Sequence, residues 1–73
     1  MEFNAVILTE VGDYLLNSKN HYEWTEKGIE IENAYVVNEE GLAQRIKADK
    51  LLITENALQG IQEGSFEEET VEQ

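Results

Sequence analysis

The stretch 22–37, YEWTEKGIEIENAYVV, limits what this chain can fold into more than any other. Ile29, Ile31, Tyr35 and Val37 share one parity, with Asn33 as the exception, while Glu30, Glu32, Ala34 and Val36 take the other. Successive side chains of a strand point to opposite faces, so the pattern predicts a strand with one apolar and one acidic face. Lys27-Gly28 marks the turn that leads into it, because glycine accepts positive φ without steric cost. A two-residue loop pairs Trp24 with Ile31, and a four-residue loop over 25–28 pairs Trp24 with Ile29. Both put Tyr22, Trp24, Ile29 and Ile31 on one face. An odd loop would move Trp24 to the acidic side, since a one-residue slip exchanges the faces of a strand.

The same registers set Glu23 opposite Glu30 or Glu32. Like charges directly opposed across an antiparallel pair are destabilising, by a few tenths up to about 1 kcal/mol. Solvation relieves part of this. A basic partner laid across the row would relieve it further.

The expected fold is α+β or mainly β: a small antiparallel sheet or barrel of four to five strands. The run 3–11 (FNAVILTEV) holds Ala5-Val6-Ile7-Leu8 without a polar break, as in a strand covered on both faces or paired with another copy. Gly12-Asp13 interrupts it and 14–16 is a second short strand. The segment 17–20 reads as a loop, 50–54 as a further strand, and 55–61 as a helical turn or closing loop. Two readings stay open between these. In one, Asn38 caps a short helix near 39–49, with Glu39 and Glu40 in the first turn and Arg45, Lys47 and Lys50 late. In the other, 38–41 is a hairpin loop and Leu42, Gln44 and Ile46 continue the sheet on the Ile29/Ile31 face. The run 41–58 does not make a helix-turn-helix: the connection between 42–45 and 54–58 is too long and the second helix would lack bases.

Charge separates the body from the end of the chain. There are 16 acids and 5 bases, for a net charge of −11. The segment 63–73 carries five acids and no base, which leaves 11 acids against 5 bases, or −6, on residues 1–62. The expected organisation is one small β-rich domain over 1–62 and an acidic, disordered tail over 63–73. That tail has too few apolar residues to offset its ordering entropy, with Phe66 and Val71 as potential anchors. A chain this acidic is repelled by phosphate backbones and anionic lipid, so direct contact with nucleic acid or membrane is not expected. No apolar run is long enough to span a bilayer, and the cytoplasm is the expected location. A 73-residue chain is marginal on its own core and has no cysteine to staple it, so a homo-oligomer is a live expectation.

Catalytic chemistry finds little purchase. His21 is the single histidine and reads as a surface residue; nearby Ser18 lacks the buried acid and oxyanion donors of a triad. Glu30 and Glu32, roughly 6.6 to 6.8 Å apart along a strand, form a surface row rather than the apolar pocket that raises a carboxyl pKa. No phosphate-binding glycine loop or calcium loop is present. No enzyme activity, cofactor or metal is therefore expected. The expected function is a small acidic protein-binding modulator, an inhibitor of the kind a phage encodes. It would dock Glu23, Glu30, Glu32, Glu39 and Glu40, with Trp24 and Tyr22, on the basic, nucleic-acid-binding surface of an enzyme. A self-assembling structural subunit and a small-molecule or peptide binding module are the alternatives.

Overall fold

The computed structural model describes residues 1–71. Among them are eight strands, β1 (Glu2–Thr9), β2 (Gly12–Leu16), β3 (Tyr22–Thr25), β4 (Gly28–Glu32), β5 (Tyr35–Val37), β6 (Ala43–Arg45), β7 (Lys50–Thr54) and β8 (Leu58–Glu67). They form a five-stranded sheet, β6-β5-β2-β1-β8, and a three-stranded sheet, β3-β4-β7, with every strand pair antiparallel. The mainly-β expectation holds, but four to five strands was too few, and the sheets do not close into a barrel.

β1 sets the core. Phe3, Ala5, Ile7 and Thr9 are buried, and Asn4, Val6 and Leu8 between them are half-buried. Ala5, Ile7 and Leu16 of the larger sheet pack with Ile29, Ile31 and Ile53 of the smaller one. Ile7, Leu16, Ile29 and Ile31 are almost wholly buried. Each such side chain contributes about 1.5–3 kcal/mol relative to an exposed position. A second cluster joins Phe3, Leu15 and Ala43, with Val6, Tyr35 and Phe66 against it.

The strand expected over 29–37 is two strands in two sheets. β4 ends at Glu32, and β5 starts at Tyr35 alongside β2. Asn33, the residue that breaks the parity, lies between them with φ of 53°. Asparagine tolerates this left-handed conformation better than most residues. Its side-chain oxygen accepts a hydrogen bond from the Arg45 guanidinium at 2.8 Å.

Three other expectations need correction. The short helix near 39–49 is absent; the hairpin β5–β6 takes its place, with Tyr35 opposite Arg45 and Val37 opposite Ala43. The Asn38 side chain accepts from the amides of Glu40 and Leu42, which closes a turn. Gly41 completes it with φ of +82°. That extra left-handed residue makes the loop odd, so Ala43 is the buried position and not Leu42 or Gln44.

The break after β1 also differs. The turn is Glu10-Val11, and Gly12-Asp13 already belong to β2. Thr9 Oγ1 donates to the Gly12 carbonyl and accepts from the Val11 amide. Thr25 does the same with Gly28 and Lys27.

The acidic tail expected to be disordered from 63 is built into the fold as far as it is described. β8 pairs with β1 from Thr9↔Leu58 to Glu2↔Glu67, so the boundary placed after residue 62 falls inside a strand. Phe66 stacks on Phe3 at 5.7 Å between ring centroids, and Phe3 meets Tyr35 edge-on at 5.2 Å. Beyond β8, the Ala43 amide donates to the Glu69 carbonyl and the Val71 amide to the Ala43 carbonyl. The ladder to β1 and one aromatic contact supply the ordering that composition alone did not suggest. Glu72 and Gln73, the last residues of that expected tail, lie outside the described residues.

Candidate functional site

β3 and β4 carry most of the predicted partner-binding residues. Their register is Tyr22↔Ile31, Glu23↔Glu30, Trp24↔Ile29 and Thr25↔Gly28, one of the two even registers expected. β7 lies on the other side of β4, with Leu52 opposite Glu30 and Lys50 opposite Glu32. By strand alternation Glu23, Glu30, Glu32, Lys50 and Leu52 therefore share the face turned away from the core. Glu23 is exposed, and Glu30 and Glu32 are half-buried.

One base sits in this row. Lys50 Nζ lies 3.3 Å from Glu30 Oε1, and both side chains are open to solvent. The Glu30 hydrogen bond raises the Lys50 pKa above its ordinary value, helped by the charges of Glu30, Glu32 and Glu23. The register makes Lys50 the base that neutralises part of this acidic row. Part of the repulsion between opposed Glu23 and Glu30 is thus relieved inside the chain.

Tyr22 and Trp24 are on the opposite parity, toward Ile31 and Ile29. Tyr22 is half-buried, and its hydroxyl donates to Glu63 Oε1 at 2.6 Å. This ties β3 to β8 across the two sheets. The Glu63 hydrogen bond raises the Tyr22 pKa, with burial and the Glu63 charge acting the same way. Trp24 is 58% exposed, because β3 is an edge strand and the core ends beneath it. Glu39 and Glu40 sit at the tip of the β5–β6 hairpin, which belongs to the other sheet. The seven predicted residues are therefore divided: three carboxylates on one sheet face, two aromatics on its reverse side, and two carboxylates on a hairpin of the larger sheet.

His21 closes the short 3-10 turn Lys19–His21 that leads into β3. Its Nδ1 is buried without a hydrogen-bond partner, beside a small cleft of about 50 Å³ shared with Glu23, Glu30, Glu32 and Lys50. Among the described residues no group of three or more histidine, cysteine, aspartate or glutamate side chains is placed to hold a metal ion.

A feature the sequence did not single out is a hollow of about 580 Å³ on the five-stranded sheet, lined by residues of β1, β2, β5 and β8. The one available signal was the unbroken Ala5-Val6-Ile7-Leu8 run, half of which faces this way. Among the described residues no helix is long and apolar enough to cross a membrane. No family model matches the chain, and neither a curated protein nor a solved structure matches it.

Proposed function

We propose that this protein is a small acidic protein-binding modulator. It lays the outer face of β3-β4-β7 on a basic, nucleic-acid-binding surface of a partner enzyme and inhibits that enzyme by occupying the surface. The observation that carries this reading is the solvent-facing row of Glu23, Glu30 and Glu32, which holds a single lysine, on a chain of net charge −11. Glu30 and Glu32 repeat at roughly 6.6–6.8 Å along β4, near twice the 3.4 Å rise per nucleotide of one DNA strand. A surface evolved to neutralise phosphates meets comparable negative charge here. Such binding is steered by long-range attraction and weakened by salt.

The test is affinity capture from cell lysate at low and high salt, with the full chain and with Glu30→Lys plus Glu32→Lys. The expected result is retention of a basic nucleic-acid-binding protein at low salt, its release at high salt, and its displacement by added DNA or RNA. Reversing these two half-buried, outward-facing charges is expected to cost roughly 2 kcal/mol of binding, about thirtyfold in affinity. Undiminished capture by a folded double variant refutes the reading.

A further inference from the structure

The hollow on the five-stranded sheet is lined by Val6 and Leu8 of β1, Leu15 of β2, Val36 and Val37 of β5, and Phe66 of β8. Val6 and Leu8 alternate with the core residues Ala5 and Ile7, so they face away from the main core. Val37 is 51% exposed, and Val11, also on the lining, is 79% exposed. The polar members of the lining are Asp13, Tyr14, Gln62 and Glu68, and no lysine, arginine or histidine is among them. A volume of about 580 Å³ falls within the usual size of a ligand-binding cleft. An apolar floor with carboxylates and no basic side chain in its lining selects its occupant by charge as well as by shape; the Met1 ammonium next to Glu68 is held by the Glu68 carbonyl and the Glu67 carboxylate.

We infer that this hollow docks an apolar segment of a partner protein flanked by lysine or arginine. The side chains of that segment would fill the space over Val6, Leu8 and Val36, and its flanking cations would meet Asp13 and Glu68. A second copy of this chain is the poorer occupant. It would bring another −11 of charge and, in a two-fold arrangement, a second Asp13 and Glu68 to the same contact. The inference does not rest on the acidic row, which belongs to the other sheet.

The experiment is a titration of the isotope-labelled full chain, followed by NMR. The probe is a synthetic peptide of alternating leucine and valine between paired lysines. Two further peptides serve as controls, one with glutamate flanks and one with serine in place of the apolar residues. Saturable shifts are expected at the amides of Val6, Leu8, Leu15, Val36, Val37 and Phe66, with weaker binding of both control peptides. Val37→Ser and Gln62→Lys alter exposed lining positions, so an unchanged spectrum elsewhere verifies the fold. Val37→Ser is expected to weaken the lysine-flanked peptide about tenfold by removing apolar contact without adding charge. Gln62→Lys is expected to weaken it by placing a cation beside the peptide's own. The inference is overturned if the peptide causes no saturable shift in the hollow, if the serine control binds equally well, or if Val37→Ser changes nothing. Self-association of the free protein that Val37→Ser abolishes would also overturn it, by making a second copy the occupant. Loss of capture by the Glu30/Glu32 double variant would leave this titration unchanged, so the two readings fail separately.

Discussion

Gly28→Ala is the substitution whose effect the structure specifies most closely. Gly28 opens β4 opposite Thr54 of β7, with φ of +149°. A Cβ built there would collide with the Ile53 carbonyl oxygen and lie 2.8 Å from Thr54 Cα. Both are backbone atoms of the paired strand, so no side chain can rotate out of the way. Holding a non-glycine residue at such a φ costs about 1–3 kcal/mol. Forcing a methyl group into occupied space costs about 1–3 kcal/mol more. The total, about 2–6 kcal/mol, is a large share of the roughly 4–11 kcal/mol expected for a chain of this length. The melting midpoint should fall by roughly 10–45 °C, or the transition should disappear. Gly41→Ala is the control. Gly41 has φ of +82°, and nothing lies within 4 Å of a Cβ built there. Only conformational strain applies, about 1–2 kcal/mol. Thermal melts of the two variants by circular dichroism separate the terms. A Gly28→Ala protein that melts within a few degrees of Gly41→Ala refutes the close approach of β4 to β7, and with it the placement of the acidic row beside Lys50.

Other consequences follow from the same contacts. Ending the chain after Gln62 removes the second half of β8, the Phe66–Phe3 stack and the Tyr22–Glu63 bond, so the cooperative melt should be lost or moved far down; an unchanged melt would restore the disordered tail. Phe66→Ala removes a half-buried ring and should cost about 2 kcal/mol in urea unfolding, below the usual range for a fully buried phenylalanine. Tyr22 should ionise above the ordinary phenol value of 10.0, seen as a late step in the ultraviolet titration that Tyr22→Phe removes. A folded-state pKa raised in this way gives stability that is complete below pH 10 and lost as pH rises through the folded value. Lys50→Gln leaves the acidic face without its base, so it should tighten binding to a basic partner and steepen the salt dependence; unchanged affinity would remove that face from the interface.

The parts of the fold legible in the sequence are those governed by local alternation. The β3–β4 parity followed from keeping Trp24 off the acidic side, which left two registers open, and β1 and β7 followed from their apolar runs. What failed did so where two structures share one local signal. An asparagine that accepts backbone amides two or more residues ahead is both a helix N-cap and a hairpin-turn residue. Asn38 does the second, accepting from Glu40 and Leu42. Two signals were present and unused. Thr9-Glu10-Val11-Gly12 and Thr25-Glu26-Lys27-Gly28 form the same threonine-braced turn. Asn33 breaks the alternation where the chain changes sheets. The tail was misjudged because counting its apolar residues omits the backbone ladder to β1, which depends on a strand sixty residues away in the chain.

The candidate site divides along the same line. That Glu23, Glu30 and Glu32 share a face is a consequence of parity within one hairpin, so it was readable. That Lys50 returns to pair with Glu30 depends on β7 reaching the free edge of β4, a long-range event with no local mark. The hollow is less readable still, because a continuous apolar run says that both faces of β1 suit burial and not which face stays open. The outward faces of the two sheets are nevertheless complementary in character. One offers carboxylates on a three-stranded surface, and the other offers apolar side chains in a recess with Asp13 and Glu68 beside it. Both favour a cationic partner. They differ in their response to salt: binding to the row should fall steeply with ionic strength, while binding in the hollow should keep the part supplied by apolar burial. A partner whose affinity levels off at high salt instead of vanishing would therefore be held by the five-stranded sheet, and Val37→Ser should then reduce the salt-resistant part.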